Sequence, residues 1–320
     1  MLLKKIIKCC VPYGIIAYRK QKMENHLSEI YLRREQKEEE IRNYFLSLTN
    51  VTDPEFYEII DFFKGHHRLI EWYPYVFTRK YFAIDIDVHF DISTKTQYVM
   101  HGNKKLYFPE NWTRKYIRDY YNNLCLEQDE NSPHRYETDT FVVGEGDIIA
   151  DVGAAEGIWA LSYAEKAKKI YLFECSDIWT NALKNTFAPW KEKTVFVKKY
   201  VSDISDRKSV TLDNFFNAHE GKIDFIKADI EGMEIKLLKG AKNILAANDR
   251  LKLLLCTYHK ENDATKIKEI LDNNGFETEY SKRYMICSYD ENLREPFLRR
   301  GVVRGVKGCK KNTLIQYLNR

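Results

Sequence analysis

An α/β fold, with a mostly parallel sheet covered by helices on both faces and an N-terminal helical and β-hairpin accessory region, is what this 320-residue sequence predicts. Three observations carry that expectation. After Phe141, short aliphatic and β-branched runs alternate with helical stretches, the pattern of parallel strands joined by crossover helices. A glycine-bearing loop, Asp151 to Gly157, separates the first of those strands from the helix that follows. Ahead of this half, residues 51–138 are crowded with aromatic side chains and hold the turn signal His101-Gly102-Asn103 between two short strand patterns.

Composition narrows the class of protein. With 44% hydrophobic residues, 31% charged, 7 Pro and 14 Gly, the chain is neither collagen-like nor of low complexity, and it has enough apolar surface to outweigh chain entropy. Lys plus Arg exceed Asp plus Glu by 51 − 47 = 4, too mild an excess for a dedicated nucleic-acid binder. Seven cysteines, Cys9, Cys10, Cys125, Cys175, Cys256, Cys287 and Cys309, form an odd set without a C-x-x-C pair. That pattern argues against a disulfide framework and a thiolate zinc site, and for a reducing, cytoplasmic setting. No run of about 18 apolar residues is present to span a bilayer, and no metal site is expected.

Three regions follow in order. Residues 1–50 open with the basic amphipathic stretch MLLKKIIKCCVPYGIIAYRKQK, broken by Pro12 and Gly14. It suits shallow seating on an anionic inner membrane face through residues 1–22, or packing as a terminal helix on its own domain; Cys9 and Cys10 are candidate acylation sites. A long helix over 23–48 then has a near-heptad apolar seam interrupted by Arg34 and Lys37, suited to packing at its ends or on a second copy in a homodimer. In 51–138 the alternation at 81–92 predicts a strand, 97–100 and 105–108 a hairpin, and 113–128 a helix. The aromatic residues there either line a sugar-binding or polyketide-binding cleft or fill a small core. In 139–320, strands are expected at 147–152, 169–173, 194–200, 223–228 and 251–256, with edge strands near 276–288 and 302–307. Helices are expected at 158–168, 179–187, 233–247 and 264–274.

The glycine loop points to a ligand. Gly153 and Gly157 permit tight turns, and the amides of Ala154 and its neighbours face whatever lies at the helix start. A dinucleotide fingerprint requires G-x-G-x-x-G, whereas Ala155 stands at the second glycine position and Asp151 just before the first. An acid there disfavours a pyrophosphate and favours a cation. Glu174 lies 23 residues after Asp151, where a carboxylate accepts both hydroxyls of an adenosine ribose. Asp151, two glycines and this spaced Glu174 describe S-adenosyl-L-methionine. Asp203 at the end of the third strand either accepts the adenine amine, supported by Ser202, or caps the turn before Ser205. Asp229, Glu231 and Glu234 gather at the end of the fourth strand.

The run Lys227-Ala228-Asp229-Ile230-Glu231-Gly232-Met233-Glu234, with Leu237-Leu238-Lys239-Gly240-Ala241, resembles the K-x-D-x-E-G-x-E and L-x-G-A signature of FkbM-like S-adenosylmethionine-dependent methyltransferases. Asp151 to Gly157, Val210-Thr211-Leu212-Asp213 and Ser132-Pro133-His134-Arg135-Tyr136 are similar to other segments of that family, over residues of about 130–310 and not the first 50. The resemblance implies a class I methyltransferase Rossmann-like sheet and O-methylation of a sugar hydroxyl in a glycan, glycolipid or related natural product. It makes Asp151, Gly153, Gly157, Glu174 and Asp229 cofactor contacts. Removing a hydroxyl proton calls for a base, and His259, just past the fifth strand, is the first candidate, with a satisfied structural histidine as its plain alternative. His134 is the second, with Arg135 or Tyr136 orienting the acceptor and Glu231 either facing it or starting a helix. The competing classes are a protein that binds the cofactor without catalysis and an NAD-dependent sugar oxidoreductase.

Overall fold

The computed structural model describes residues 13–307 apart from 70, 83 and 220–221. The basic opening segment over 1–12, with Cys9 and Cys10, and Cys309 near the other end lie outside the described residues. Two compact units emerge, one from the chain up to Tyr75 with Ile286–Phe297, the other from Val76–Met285 with the chain from Leu298 onward.

In the first unit, helix α1 (Tyr13–Ser47) is followed by α2 (Pro54–Gly65). Gly14 lies inside α1, so the break expected there is absent; one glycine costs only about 1 kcal/mol within so long a helix. Asp53 caps α2 by accepting the Glu55 N–H, and Pro54 takes the first helical position, where no amide hydrogen is needed. Ile41 and Phe45 are buried, as are Ile59, Phe62 and Phe63, and the rings of Phe45 and Phe63 stack at 5.7 Å. No helix among the described residues is long and apolar enough to cross a membrane.

The second unit begins with a three-stranded antiparallel sheet, β1 (His89–Asp91), β2 (Thr96–His101) and β3 (Lys104–Tyr107), then α3 (Arg114–Glu127) capped by Thr113. The hairpin turns at Gly102, φ 59, as its turn signal requires. The strand expected over 81–92 shrinks to β1. Ile84 and Ile92 are exposed and β1 alone is paired, so alternation without a partner strand left extended coil.

The main sheet is made of β4 (Ile148–Val152), β5 (Lys169–Phe173), β6 (Thr194–Val197), β9 (Phe225–Ala228), β10 (Lys252–Cys256), β11 (Phe276–Tyr280) and β12 (Val302–Lys307). A separate pair, β7 (Tyr200–Val201) and β8 (Ser209–Val210), lies between β6 and β9 in the chain. The order across the sheet is β11-β12-β10-β9-β4-β5-β6, with β12 antiparallel to both neighbours and the remaining pairings parallel. Strand order reverses at β4 and β9, and a last hairpin places β12 inside the sheet; this is the class I methyltransferase arrangement. Every residue of β4 and β9 is buried, so both faces of the sheet centre are covered.

Between these strands run α4 (Ile158–Ser162), α5 (Thr180–Thr186), α6 (Leu212–Ala218), α7 (Glu234–Lys239), α8 (Lys242–Ala247) and α9 (Asp263–Asn273). The single helix expected over 233–247 is two, because Gly240 and Ala241 interrupt it. A Cβ at position 240 would stand 2.1 Å from the Ser202 carbonyl oxygen, so the chain is pinned there. Thr211 caps α6, and Asp213 accepts the N–H groups of Asn243 and Ile244 at the start of α8. That segment of the family signature therefore joins two helices and leaves the ligand edge alone.

Candidate functional site

Ligands of open α/β sheets bind beyond the carboxyl ends of the strands, where strand order reverses. Here Gly153 follows β4 with φ 75, and a Cβ on it would stand 2.0 Å from the Asp229 carbonyl oxygen beyond β9. Glycine is what lets the two strand-end loops touch. Beside them Gly153, Glu174, Ser202, Ile230 and Met233 line a cavity of about 370 Å³, within the size range of small-molecule sites.

Glu174 is fixed on that wall. Its Oε2 accepts the Ala155 N–H at 3.0 Å and its Oε1 the Ser176 N–H at 2.6 Å. Two backbone bonds leave acceptor capacity on a carboxylate that offers about four lone-pair sites. Ser202 is buried and its hydroxyl is 3.1 Å from the carboxylate of Asp203, which is itself exposed.

The other cofactor residues read from the sequence sit elsewhere. Asp151 is fully buried, and its Oδ1 accepts from Lys227 Nζ at 2.9 Å while the same ammonium donates to the Gly153 carbonyl at 3.0 Å. The expected acid facing a cation is thus neutralised inside the sheet, and the charge argument against a pyrophosphate loses its basis. Burial pushes the Asp151 carboxyl up and Lys227 opposes it. Ala154 is buried. Gly157 serves packing, since a Cβ there would meet the Phe187 ring at 2.8 Å and Leu183 at 2.9 Å.

A second cluster centres on Asp229, just past β9. His259 Nε2–H donates to its Oδ1 at 2.9 Å, the Tyr136 hydroxyl to its Oδ2 at 3.0 Å and the Tyr258 hydroxyl to its Oδ1 at 3.2 Å. Burial alone would raise the Asp229 carboxyl, but the His259 hydrogen bond and the charges of His134 and Lys227 hold it far below the usual range. For His259 burial is the largest influence and disfavours the charged ring; the bond and charge of Asp229, with Glu234 and Glu231, outweigh it and raise the ring above an ordinary histidine. Glu234 Oε1 lies 3.5 Å from His259 Nε2, and burial pushes Glu234 up to about 7. On the other ring edge, Nδ1 is 3.6 Å from Glu231, whose side chain is 94% exposed.

His134 differs from His259. It is 1% exposed, 3.7 Å from Asp229 Oδ2 and from Cys256 Sγ, and burial lowers it to about 4. A neutral imidazole sealed in this way cannot reach an acceptor, which corrects its candidacy as a base. Arg135 and Tyr136 line a separate cavity of about 180 Å³ with His101, Glu137, Trp159 and Ser162.

By proximity, two sets of side chains could hold a cation: His134, Asp229 and Cys256, or Asp229, Glu234 and His259, their donor atoms all within 4.8 Å. Burial drives the Cys256 thiol well up, away from a ligating thiolate. In the second set the groups already serve one another and the backbone, Glu234 accepting the Ile230 N–H at 2.9 Å. Sequence reasoning missed the roles of Lys227 and Tyr258. A lysine inside the aliphatic run Phe225–Ala228 was the available signal, because a buried ammonium requires an acid on a neighbouring strand.

The strand order and the strand-end crevice define a class I methyltransferase fold. The methyltransferase FkbM domain model matches residues 96–278, more than half of the chain, and the chain belongs to that family. A curated relative from Methanocaldococcus jannaschii, named as a probable transcription termination protein NusA, is 27% identical over 146 residues, 46% of this chain and 66% of its own. The chain thus spans just under two thirds of that relative's length. Partial likeness extends to magnesium protoporphyrin IX methyltransferase from Synechocystis PCC 6803, solved with bound SAM, at 16% identity and TM-score 0.32, covering 51% of this chain and 71% of that one. TYW2 of M. jannaschii in complex with AdoMet is 12% identical at TM-score 0.35, covering 66% and 84%.

Proposed function

We propose that this chain transfers the methyl group of S-adenosylmethionine to a hydroxyl oxygen of a sugar or related small acceptor. The observation that carries the reading is the cavity at the strand-order reversal, with Glu174 held by two backbone N–H groups on its wall. A fixed carboxylate with acceptor capacity to spare fits the paired hydroxyls of an adenosine ribose. Gly153 and Ser202 form the wall around it, and Ile230 and Met233 supply apolar surface. When bound, the cofactor supplies an electrophilic methyl on a sulfonium.

The chain's own work is alignment, exclusion of water and acceptance of a proton. Asp229 holds the Nε2–H edge of His259, which leaves Nδ1 to take the hydroxyl proton; the carboxylate then stabilises the imidazolium that forms. The fixed hydroxyls of Tyr136 and Tyr258 beside Asp229 are suited to a hydroxyl-bearing acceptor.

Calorimetric titration of the full chain with S-adenosylmethionine, S-adenosylhomocysteine and NAD tests the cofactor. Saturable binding of the first two is expected. Binding of NAD alone overturns the reading in favour of an oxidoreductase.

A further inference from the structure

Glu234 is the first residue of α7 and its side chain is 0% exposed. Its Oε1 accepts the Ile230 N–H at 2.9 Å and stands 3.5 Å from His259 Nε2, while its Oε2 is buried without a hydrogen-bond partner. Capping the turn after β9 needs only one acceptor oxygen, which an amide or hydroxyl would provide. A buried carboxyl group with one oxygen unbonded is costly, so an acid at this position calls for a separate account.

We propose that Glu234 is a positioning residue that acts through His259: as a second buried carboxylate on the Nε2 edge, it keeps the ring proton on that nitrogen and leaves Nδ1 to accept the proton of the acceptor. The inference rests on the reading of His259 as the base. Asp229 makes the shorter contact, 2.9 Å against 3.5 Å, and Glu234 closes the same edge from α7. The other groups facing the ring are Glu231 from the turn, Asp263 from α9, and His134 from the loop before β4, with the Tyr258 ring packed at 4.1 Å. The Asp229 carboxylate and the Glu234 carboxyl oxygen on one edge, against a single exposed carboxylate on the other, favour the Nε2–H tautomer.

Nitrogen-detected NMR of the imidazoles in the full chain, without cofactor or acceptor, tests this. The wild-type His259 is expected as the Nε2–H tautomer. In Glu234→Gln, which keeps an oxygen for the Ile230 N–H, its titration midpoint should fall by about half a unit or more and the share of Nδ1–H should rise. Asp229→Asn should lower the midpoint further. A folded Glu234→Gln with unchanged midpoint and tautomer overturns the inference, because a purely structural cap predicts that result. If that variant does not fold, an Nδ1–H tautomer in the wild type overturns it equally. Neither readout depends on S-adenosylmethionine, so failure of the cofactor titration and failure of this experiment remain separate outcomes.

Discussion

Two acid–base pairs stand at the tips of adjacent strands, each with a 2.9 Å contact: Asp151 with Lys227, and Asp229 with His259. In the first pair the side chains are 1% and 6% exposed; in the second, Asp229 is 20% exposed. Lys227 lies on β9 and Asp229 just past its end, two residues apart, yet the first pair is closed within the sheet and the second opens at its edge. Equal distances thus conceal different work. Asp151 and Lys227 neutralise each other where water cannot, while Asp229 orients a ring whose pKa the neighbouring carboxylates raise above that of an ordinary histidine.

The largest contrast should come from breaking each pair in turn. Lys227→Met leaves the Asp151 carboxylate buried and unpaired, and denaturant unfolding should show a loss of about 3–5 kcal/mol, much of it recovered in Asp151→Leu/Lys227→Met. His259→Ala should lower the midpoint of unfolding by less than Lys227→Met, because Asp229 keeps the Tyr136 and Tyr258 hydroxyls, and leave cofactor binding intact, yet lower methyl transfer by roughly 10²–10⁴-fold. Full transfer without His259 would place the base elsewhere.

The pH profile of the wild type sharpens the same contrast. His259 is raised above the ordinary value of 6.5, so its neutral, proton-accepting form is lost as pH falls through a midpoint above 6.5. Transfer rates should show that acidic limb; a limb well below 6.5 would contradict the role of Asp229. Smaller effects belong to the cavity wall. Glu174→Ala should weaken S-adenosylmethionine roughly 10–100-fold by calorimetry through loss of charge-assisted hydrogen bonds. Asp203→Asn should change affinity by less than about twofold, as expected of an exposed side chain pointed at Ser202.

Much of the fold was legible because periodicity reports burial. Residues 169–173 and 302–307 form strands at the expected bounds, with Ile170 to Phe173 buried in the first and Val302 to Gly305 in the second. What failed depended on partners that a linear pattern does not contain. Residues 81–92 alternate without a neighbour to pair with, and 233–247 reads as one helix until the Ser202 backbone fixes Gly240. In the site, Glu174 and Asp229 were visible as acids at strand ends. Whether such an acid is left facing a crevice or is paired with a lysine is decided by the adjacent strand: Asp151 is closed off by Lys227, while Glu174 lines the cavity.

Arg304, on β12, donates through Nε to the Tyr136 carbonyl at 2.8 Å and through a terminal nitrogen to that of Arg135 at 2.6 Å, so it fastens the loop whose tyrosine reaches Asp229. β12 is also the most C-terminal strand described, slotted between β10 and β11. During synthesis on the ribosome, the glycine loop and Glu174 emerge long before Arg304 does. A nascent chain can therefore fold the Glu174 wall of its crevice early, while the loop that carries Tyr136 is anchored only once translation has passed β12.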